Sequence, residues 1–500
     1  MIVTPASSVR RRAGLIIISA ALAIALSPLA GASASPAGDP GLVTKLNSVL
    51  KDSRVRHATS GAIVLDAKDG SQLYGRNADR AITPASNTKI LTAATALHVL
   101  GPGYRFKTEV IRRAQIGADG ALPGRLYLKG YGDPTTRQSD FAALARQVRA
   151  AGITRVAGRL VADSSYFDQV RYNPNWSTEY ASDYYAAQIS ALTVAPNTDY
   201  DSGTTIIKYA PASRGNRAKI TTVPAAAAKY VKIVNKTTTS ARGTSTSFWA
   251  HRAYGTNTIT VGGRVPAGRS GSWMITVDRP ELYAGAVFRA ELGKAGVTIA
   301  GGTAIGQTPA ASRRLVAVDR SMPLSQLLVP FMKLSNNMHA EALTKTMGTL
   351  KGSPGNWADG LSYTKAYLKS TGAPMAGVVL VDGSGLTRRN KLTPRALARF
   401  LDKIQDETWW PTFDRALPVA GNTKRMVGGT LRHRMNQTKA ANNAHAKTGT
   451  LSGVTALSGY VTGADGRRYV FSMLSQYTGS TPRPVENTFV VALAGWRRSA

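Results

Sequence analysis

Pro84-Ala85-Ser86-Asn87-Thr88-Lys89-Ile90-Leu91 opens a helix whose apolar positions Ile90, Leu91, Ala94, Leu97 and Leu100 recur at helical spacing until Gly101 closes it. The pattern predicts a buried amphipathic helix. Serine and lysine three residues apart lie one turn from each other on a single face. An amine whose surroundings lower its pKa can act as base for that hydroxyl, and a helix N-terminus adds positive field where an alkoxide would form. The same spacing also fits a capping serine beside a solvated lysine, so the pair decides nothing alone. Just upstream, Gly61-Ala62-Ile63-Val64-Leu65-Asp66 alternates small and branched residues, and Lys68-Asp69-Gly70 turns it back into Gln72-Leu73-Tyr74, a strand hairpin.

The far end of the chain has matching texture. Lys447 to Gly449, Val454 to Val461 and Tyr469 to Tyr477 read as strands, and Val485 to Trp496 as a helix. Hairpin plus helix at one end and strands plus helix at the other predict one sheet built from both termini. Leu324 to Leu350 and Trp357 to Ser370, largely helical, lie between them. From Tyr104 to Pro309 the chain is rich in Thr, Ser, Gly and Val, with short alternating runs such as Thr258 to Val261 and Trp273 to Val277 and helical pieces at Ser139 to Ala151 and Pro280 to Ala295. This middle stretch reads as an insertion, one part α/β and one part mostly β, that marks the class of protein rather than its chemistry.

Two further triplets carry chemistry. Ser335-Asn336-Asn337 sits in a helical context between apolar Leu334 and Met338, where polar side chains are costly to bury without partners. Lys447-Thr448-Gly449-Thr450 opens a strand, and its glycine permits close approach of another backbone. Other catalytic signatures are missing. The six histidines contain no HExxH, no serine sits in a Gly-x-Ser-x-Gly elbow, and no phosphate loop is present. His339 reads as a structural helix residue.

The first residues read as an export leader: Arg10-Arg11-Arg12, an apolar run from Leu15 to about Leu29, and the small residues Ala32-Ser33-Ala34, with removal expected after Ala34. The complete lack of cysteine excludes disulfides and thiolate chemistry. A net charge of +35, of which the leader carries only three arginines, attracts polyanions. The basic residues are scattered and no nucleic-acid motif is present, so an anionic cell envelope is the expected partner and nucleic acid is not.

Ser-x-x-Lys, Ser-x-Asn and Lys-Thr-Gly in this order, each in suitable local structure, are the signature of penicillin-interactive serine enzymes. Together with Gly132-Asp133-Pro134-Thr135, Ile189-Ser190-Ala191-Leu192 and Asp382-Gly383-Ser384-Gly385-Leu386, they make the chain resemble the low-molecular-mass class C penicillin-binding proteins, a D-alanyl-D-alanine carboxypeptidase/endopeptidase family. The resemblance implies a multidomain α/β protein: a transpeptidase-like antiparallel sheet with helices on both faces from 35–103 and 310–500, interrupted by an inserted region at 104–309 of two subdomains. It implies Ser86 as the acylated nucleophile, Lys89 as its base, Ser335 as a proton bridge and Asn337 as the group holding lysine and substrate amide in register. Lys447, Thr448, Gly449 and Thr450 would bind the substrate carboxylate, with the N–H groups of Ser86 and Thr450 as oxyanion donors. Arg388 would shape a pocket for the stem-peptide side chain, joined by Leu451, Glu179, Tyr184 and Tyr185. Peptidoglycan stem peptides are the implied substrates and β-lactams the implied covalent inhibitors, with no metal or cofactor. Cleavage of D-alanyl cross-links would use the same residues, and a non-catalytic wall-binding protein is the rival of a different class.

Overall fold

A computed structural model describes residues 39–498; the expected leader at 1–34 lies outside the described residues. Among the described residues no helix is long and apolar enough to cross a membrane.

The two ends of the chain do build one sheet. Five antiparallel strands run in the order His445–Leu451, Val454–Thr462, Arg468–Gln476, Thr59–Asp66, Gln72–Arg76, with Thr59 opposite Gln476 and Val454 also opposite Gln476 on the other side. The period-2 alternation of a strand divides each one between two cores. Ala62, Val64, Leu457, Val461, Phe471 and Met473 face the terminal helices Pro40–Val49 and Arg483–Ala494, which supply Leu42, Leu46, Phe489 and Leu493. Ile63, Leu65, Ala456, Tyr460, Val470 and Leu474 face a larger helical layer that includes Ile90, Leu91, Phe331, Leu343 and Phe400. The sheet is thus covered on both faces, as expected.

The Ser86 region differs in detail from its expectation. Ala85–Asn87 forms one tight 3-10 turn, and the α-helix proper is Thr88–Leu100, ended by Gly101 at φ 83°. This helix is buried on every side from Thr88 to Leu97 instead of along one stripe, because it runs through the middle of the helical layer. The stretch Leu324 to Leu350 is two helices, Leu324–Leu334 and Asn337–Gly348, and their junction is Ser335-Asn336.

Most buried apolar residues between Val110 and Ala317 pack around a second core, while Phe167, Trp176, Ala186, Ala187, Ile189 and Ala191 of the same stretch pack into the core of the helical layer. A mixed five-stranded sheet, ordered Thr303–Ile305, Leu160–Asp163, Leu126–Gly130, Lys107–Arg112, Arg314–Arg320, is covered by the helices Gln138–Ala150 and Pro280–Lys294, whose Phe141 and Phe288 rings lie 5.7 Å apart. Two three-stranded sheets between Thr204 and Thr276 make up most of the remainder.

One buried ion pair ties the C-terminal helix to the loop segment beside the edge strand. Glu486, fully buried, takes a hydrogen bond from Thr455 Oγ1 at 2.8 Å and an ion pair from Arg434 at 2.9 Å. Arg434→Met strands that carboxylate and should cost ~3–5 kcal/mol in urea unfolding, whereas Arg434→Met with Glu486→Leu should recover most of it. A single-variant loss no larger than that of the double would show that the charge is not stranded.

Candidate active site

The three motifs come from a helix mouth, a helix junction and an edge strand, and the fold brings them to one point. Lys89 is fully buried, yet its amine is satisfied by three acceptors: Ser86 Oγ at 2.9 Å, Asn337 Oδ1 at 2.6 Å and the Ser384 carbonyl at 2.7 Å. The simple capping alternative fails here, since Ser86 makes no cap hydrogen bond and Lys89 sees no solvent. Burial pushes the Lys89 amine down to about 7, while the carboxylates of Asp382 and Glu341 act in the opposite sense. Ser86 itself stays partly exposed among buried neighbours.

Ser335 adopts the left-handed conformation, φ 61°, as the C-cap of its helix, and Asn336 caps the next one by accepting from Met338 N–H at 2.9 Å. The triplet is therefore both a cap and a site: the tight reversal turns the Ser335 hydroxyl toward Lys447, whose amine donates to it at 2.8 Å. Asn337 starts the second helix and faces Lys89, while its Nδ2 donates to the Tyr185 carbonyl at 2.8 Å.

The strand His445–Leu451 is the edge of the sheet and lies against the Ser86 turn, where Asn87 Nδ2 donates to the Lys447 carbonyl at 2.9 Å. A Cβ on Gly449 would stand 2.6 Å from the Pro84 carbonyl oxygen, so a side chain there would push strand and turn apart. Lys447 is fully buried, and burial together with the Lys89 charge holds it well below an ordinary lysine. Thr448 Oγ1 hydrogen-bonds Thr430 Oγ1 at 2.8 Å, and Thr450 is exposed.

Ser335, Asn337, Thr448 and Thr450 line a cavity of about 540 Å3. Its outer wall holds arginines that sequence reading did not single out. Arg425 is paired with Asp199 and Arg434 with Glu486, but among the described residues Arg432 and Arg483 have no acidic partner. Arg483 reaches to 3.5 Å from Thr450 Oγ1. The positive charge in the cavity wall beside Thr450 is therefore guanidinium.

Of the residues expected to shape a side-chain pocket, Tyr184 and Tyr185 line this cavity, whereas Arg388, Glu179 and Leu451 do not. Arg388 is exposed and donates to the Ser452 carbonyl at 2.6 Å, just past the end of the edge strand. Glu179 is exposed, and Leu451 packs against the helical core. His339 is buried with Nε2 3.1 Å from the Tyr200 carbonyl, and burial holds it at about 4, so it is a neutral structural residue.

The middle of the chain corrects one expectation. It is not chemically silent: Tyr184, Tyr185, Asp199 and Asp201 join the cavity wall, the Tyr185 carbonyl orients Asn337, and Trp176 Nε1 bonds Asp382 at 2.9 Å. Two buried acids were also missed. Asp382 stood in a quoted motif without a role, and Glu341 lies in a helix whose neighbours are apolar, so neither carried a signal of its partners.

The model of the D-Ala-D-Ala carboxypeptidase 3 (S13) family matches residues 42–496. A D-alanyl-D-alanine carboxypeptidase of Actinomadura sp. (strain R39) is 39% identical over 487 residues, covering 95% of this chain and 90% of that protein. The crystal structure of penicillin binding protein 4 from Haemophilus influenzae superposes with a TM-score of 0.77 at 24% identity, covering 90% of this chain and 98% of that one. The same Haemophilus protein has been solved in complex with a novel β-lactam, with a TM-score of 0.72. With nearly the whole described chain matched, and a serine and a buried lysine joined at its centre, the chain belongs to the D-Ala-D-Ala carboxypeptidase 3 (S13) family of serine peptidases.

Proposed function

We propose that this D-Ala-D-Ala carboxypeptidase works through an acyl-enzyme on Ser86, on peptidoglycan stem peptides outside the cytoplasm. The observation that carries the reading is the fully buried Lys89 amine held 2.9 Å from Ser86 Oγ, with its pKa brought to about 7. At neutral pH a large fraction of that amine is unprotonated and can take the hydroxyl proton as Ser86 Oγ attacks the penultimate D-alanine carbonyl. The N–H groups of Ser86 and Thr450 receive the oxyanion, each worth about 3 kcal/mol in comparable acyl transfer. Ser335, bonded to Lys447, bridges transfer of the proton that Lys89 took from Ser86 to the leaving amine, which returns Lys89 to its neutral form. Terminal D-alanine departs, and water then cleaves the Ser86 ester.

Thr448, Thr450, Lys447 and the rest of the Lys447–Thr450 edge hold the substrate carboxylate, with Arg432 and Arg483 adding positive field from the cavity wall. Arg388 contacts the stem-peptide side chain from the Ser452 end of the edge strand. The insertion at 104–309, with the strand Arg314–Arg320 that pairs with Lys107–Arg112, is a region of two subdomains whose inner segment braces Asn337. β-Lactams acylate the same serine. The excess of basic residues favours contact with anionic envelope polymers.

Intact mass after treatment with benzylpenicillin should show one adduct on the wild type and none on Ser86→Ala; an adduct on Ser86→Ala sinks the assignment. The second-order acylation rate of the wild type should rise with pH up to a bend near the Lys89 value of about 7 and then level off. A rate independent of pH across that region would remove Lys89 as the base. On a peptide ending in D-Ala-D-Ala, Arg483→Gln should raise KM by about fivefold, the equivalent of ~1 kcal/mol for an exposed charge pair. The same peptide capped as a C-terminal amide should be insensitive to the substitution, and equal losses on both peptides would exclude carboxylate recognition by Arg483.

A further inference from the structure

The third acceptor of the Lys89 amine, the Ser384 carbonyl, belongs to a loop outside any helix or strand, closed at its base by the Val379–Lys391 bridge. Two fully buried carboxylates hold that loop. Glu341 Oε1 accepts from Ser384 N–H at 2.8 Å, and Oε2 from Gly383 N–H at 2.9 Å and Trp357 Nε1 at 2.7 Å. Asp382 Oδ1 accepts from Gly385 N–H at 2.7 Å and Asn390 Nδ2 at 2.8 Å, and Oδ2 from Thr387 N–H at 2.8 Å and Trp176 Nε1 at 2.9 Å. All four oxygens are engaged by N–H donors, and neither acid hydrogen-bonds Ser86, whose Oγ meets Lys89 alone.

The loop has little freedom of its own. Gly385 sits at φ 80°, and a Cβ there would stand 1.8 Å from the Ala85 carbonyl oxygen, so loop and nucleophile turn are in direct contact. Burying two carboxylates costs several kcal/mol unless they are well paired, and here the compensation comes mostly from backbone N–H groups of the loop and from the nearby lysine.

We propose that Glu341 and Asp382 are positioning residues for Lys89: they clamp the Gly383–Gly385 turn so that the Ser384 carbonyl meets the amine, and their negative charge favours the ammonium formed when Lys89 takes the Ser86 proton. The inference rests on the reading of Lys89 as base. The groups facing Lys89 are Ser86 from its own turn, Asn337 and Glu341 from the helix Asn337–Gly348, Asp382 and the Ser384 carbonyl from the loop, and Lys447 from the edge strand by way of Ser335. Lys447, itself held well below an ordinary lysine by burial, is the other amine in this set. Burial and the charge of Asp382 push Glu341 up to about 7, and burial raises Asp382 as well. Both acids, when ionised, raise the Lys89 value against burial. Removing either charge therefore makes the lysine less basic.

The experiment measures the second-order rate of acylation by a fluorescent penicillin as a function of pH for the mature wild type, Glu341→Gln and Asp382→Asn, with thermal melts as a check on folding. In each variant the acid limb should move to lower pH by roughly half a unit or more. The plateau should fall by about tenfold or more, because the acceptor that orients the amine is loosened. A plateau that falls while the acid limb stays in place makes the acids mere scaffold and overturns the proposal, as does a variant with wild-type rate and profile. If Glu341→Gln does not fold, Asp382→Asn decides by the same criteria. A wild type that is never acylated would instead overturn the functional reading, and this inference with it.

Discussion

Everything in this site depends on keeping one amine out of water. An ammonium stripped of its hydration must be met by acceptors or give up its proton, and both responses occur at Lys89. Its three acceptors lie 3, 248 and 295 residues away in the chain. A small, local fold could not deliver them. The Thr88–Leu100 helix has to run through the interior with all faces covered, and the Asn337 helix and the Ser384 loop have to be packed against it from different sides. The geometry around Ser86 and Lys89 is in this sense a by-product of solving a burial problem.

The sheet makes that solution possible by joining the two ends of the chain. The strand Thr59–Asp66 pairs with Arg468–Gln476, which fixes the start of the chain, and so the Ser86 turn, against the edge strand His445–Leu451. The region between them then has only to hold the other two contributors. It does so partly from outside the helical layer: Asn337 is braced by the Tyr185 carbonyl and Asp382 by Trp176, both from the middle of the chain. A region that looks like a separate module in the sequence is joined to the helical core by the packing of Phe167, Trp176 and Ile189, and to the neighbours of Ser86 by these hydrogen bonds.

How much of this could be read in advance follows from the range of the interactions. The Gly61–Tyr74 hairpin and the terminal strands were legible because alternation and an Asp-Gly turn are local signals. Ser86, Lys89, Ser335, Asn337 and Lys447 were legible only in combination, through the order of short motifs. The break at Ser335 was not, since Leu334-Ser335-Asn336 contains no glycine or proline and the left-handed turn is imposed by packing. Glu341 was illegible for a different reason. An acid in a helix usually faces solvent, and its real partners are N–H groups 42 and 43 residues ahead. Arg432 and Arg483 were lost among 63 basic residues, because nothing in a scattered charge pattern tells which ones go unpaired.

That last point separates two scales of electrostatics that a net charge of +35 conflates. Around Ser86 the local inventory is two buried amines, Lys89 and Lys447, against two buried carboxylates, Glu341 and Asp382. Such a set is close to neutral whatever the surface carries, and in a poorly screened interior its internal balance sets the basicity of Lys89. The surface excess acts elsewhere. Its field is screened within about 8–10 Å at physiological salt, so it can draw polyanions toward the surface but contributes little inside. Arg432 and Arg483 stand where the two scales meet, in the wall of the cavity that Thr448 and Thr450 also line. There a guanidinium without an acidic partner among the described residues is still available to a ligand, while the buried set one layer deeper is insulated from the charge that attracted it.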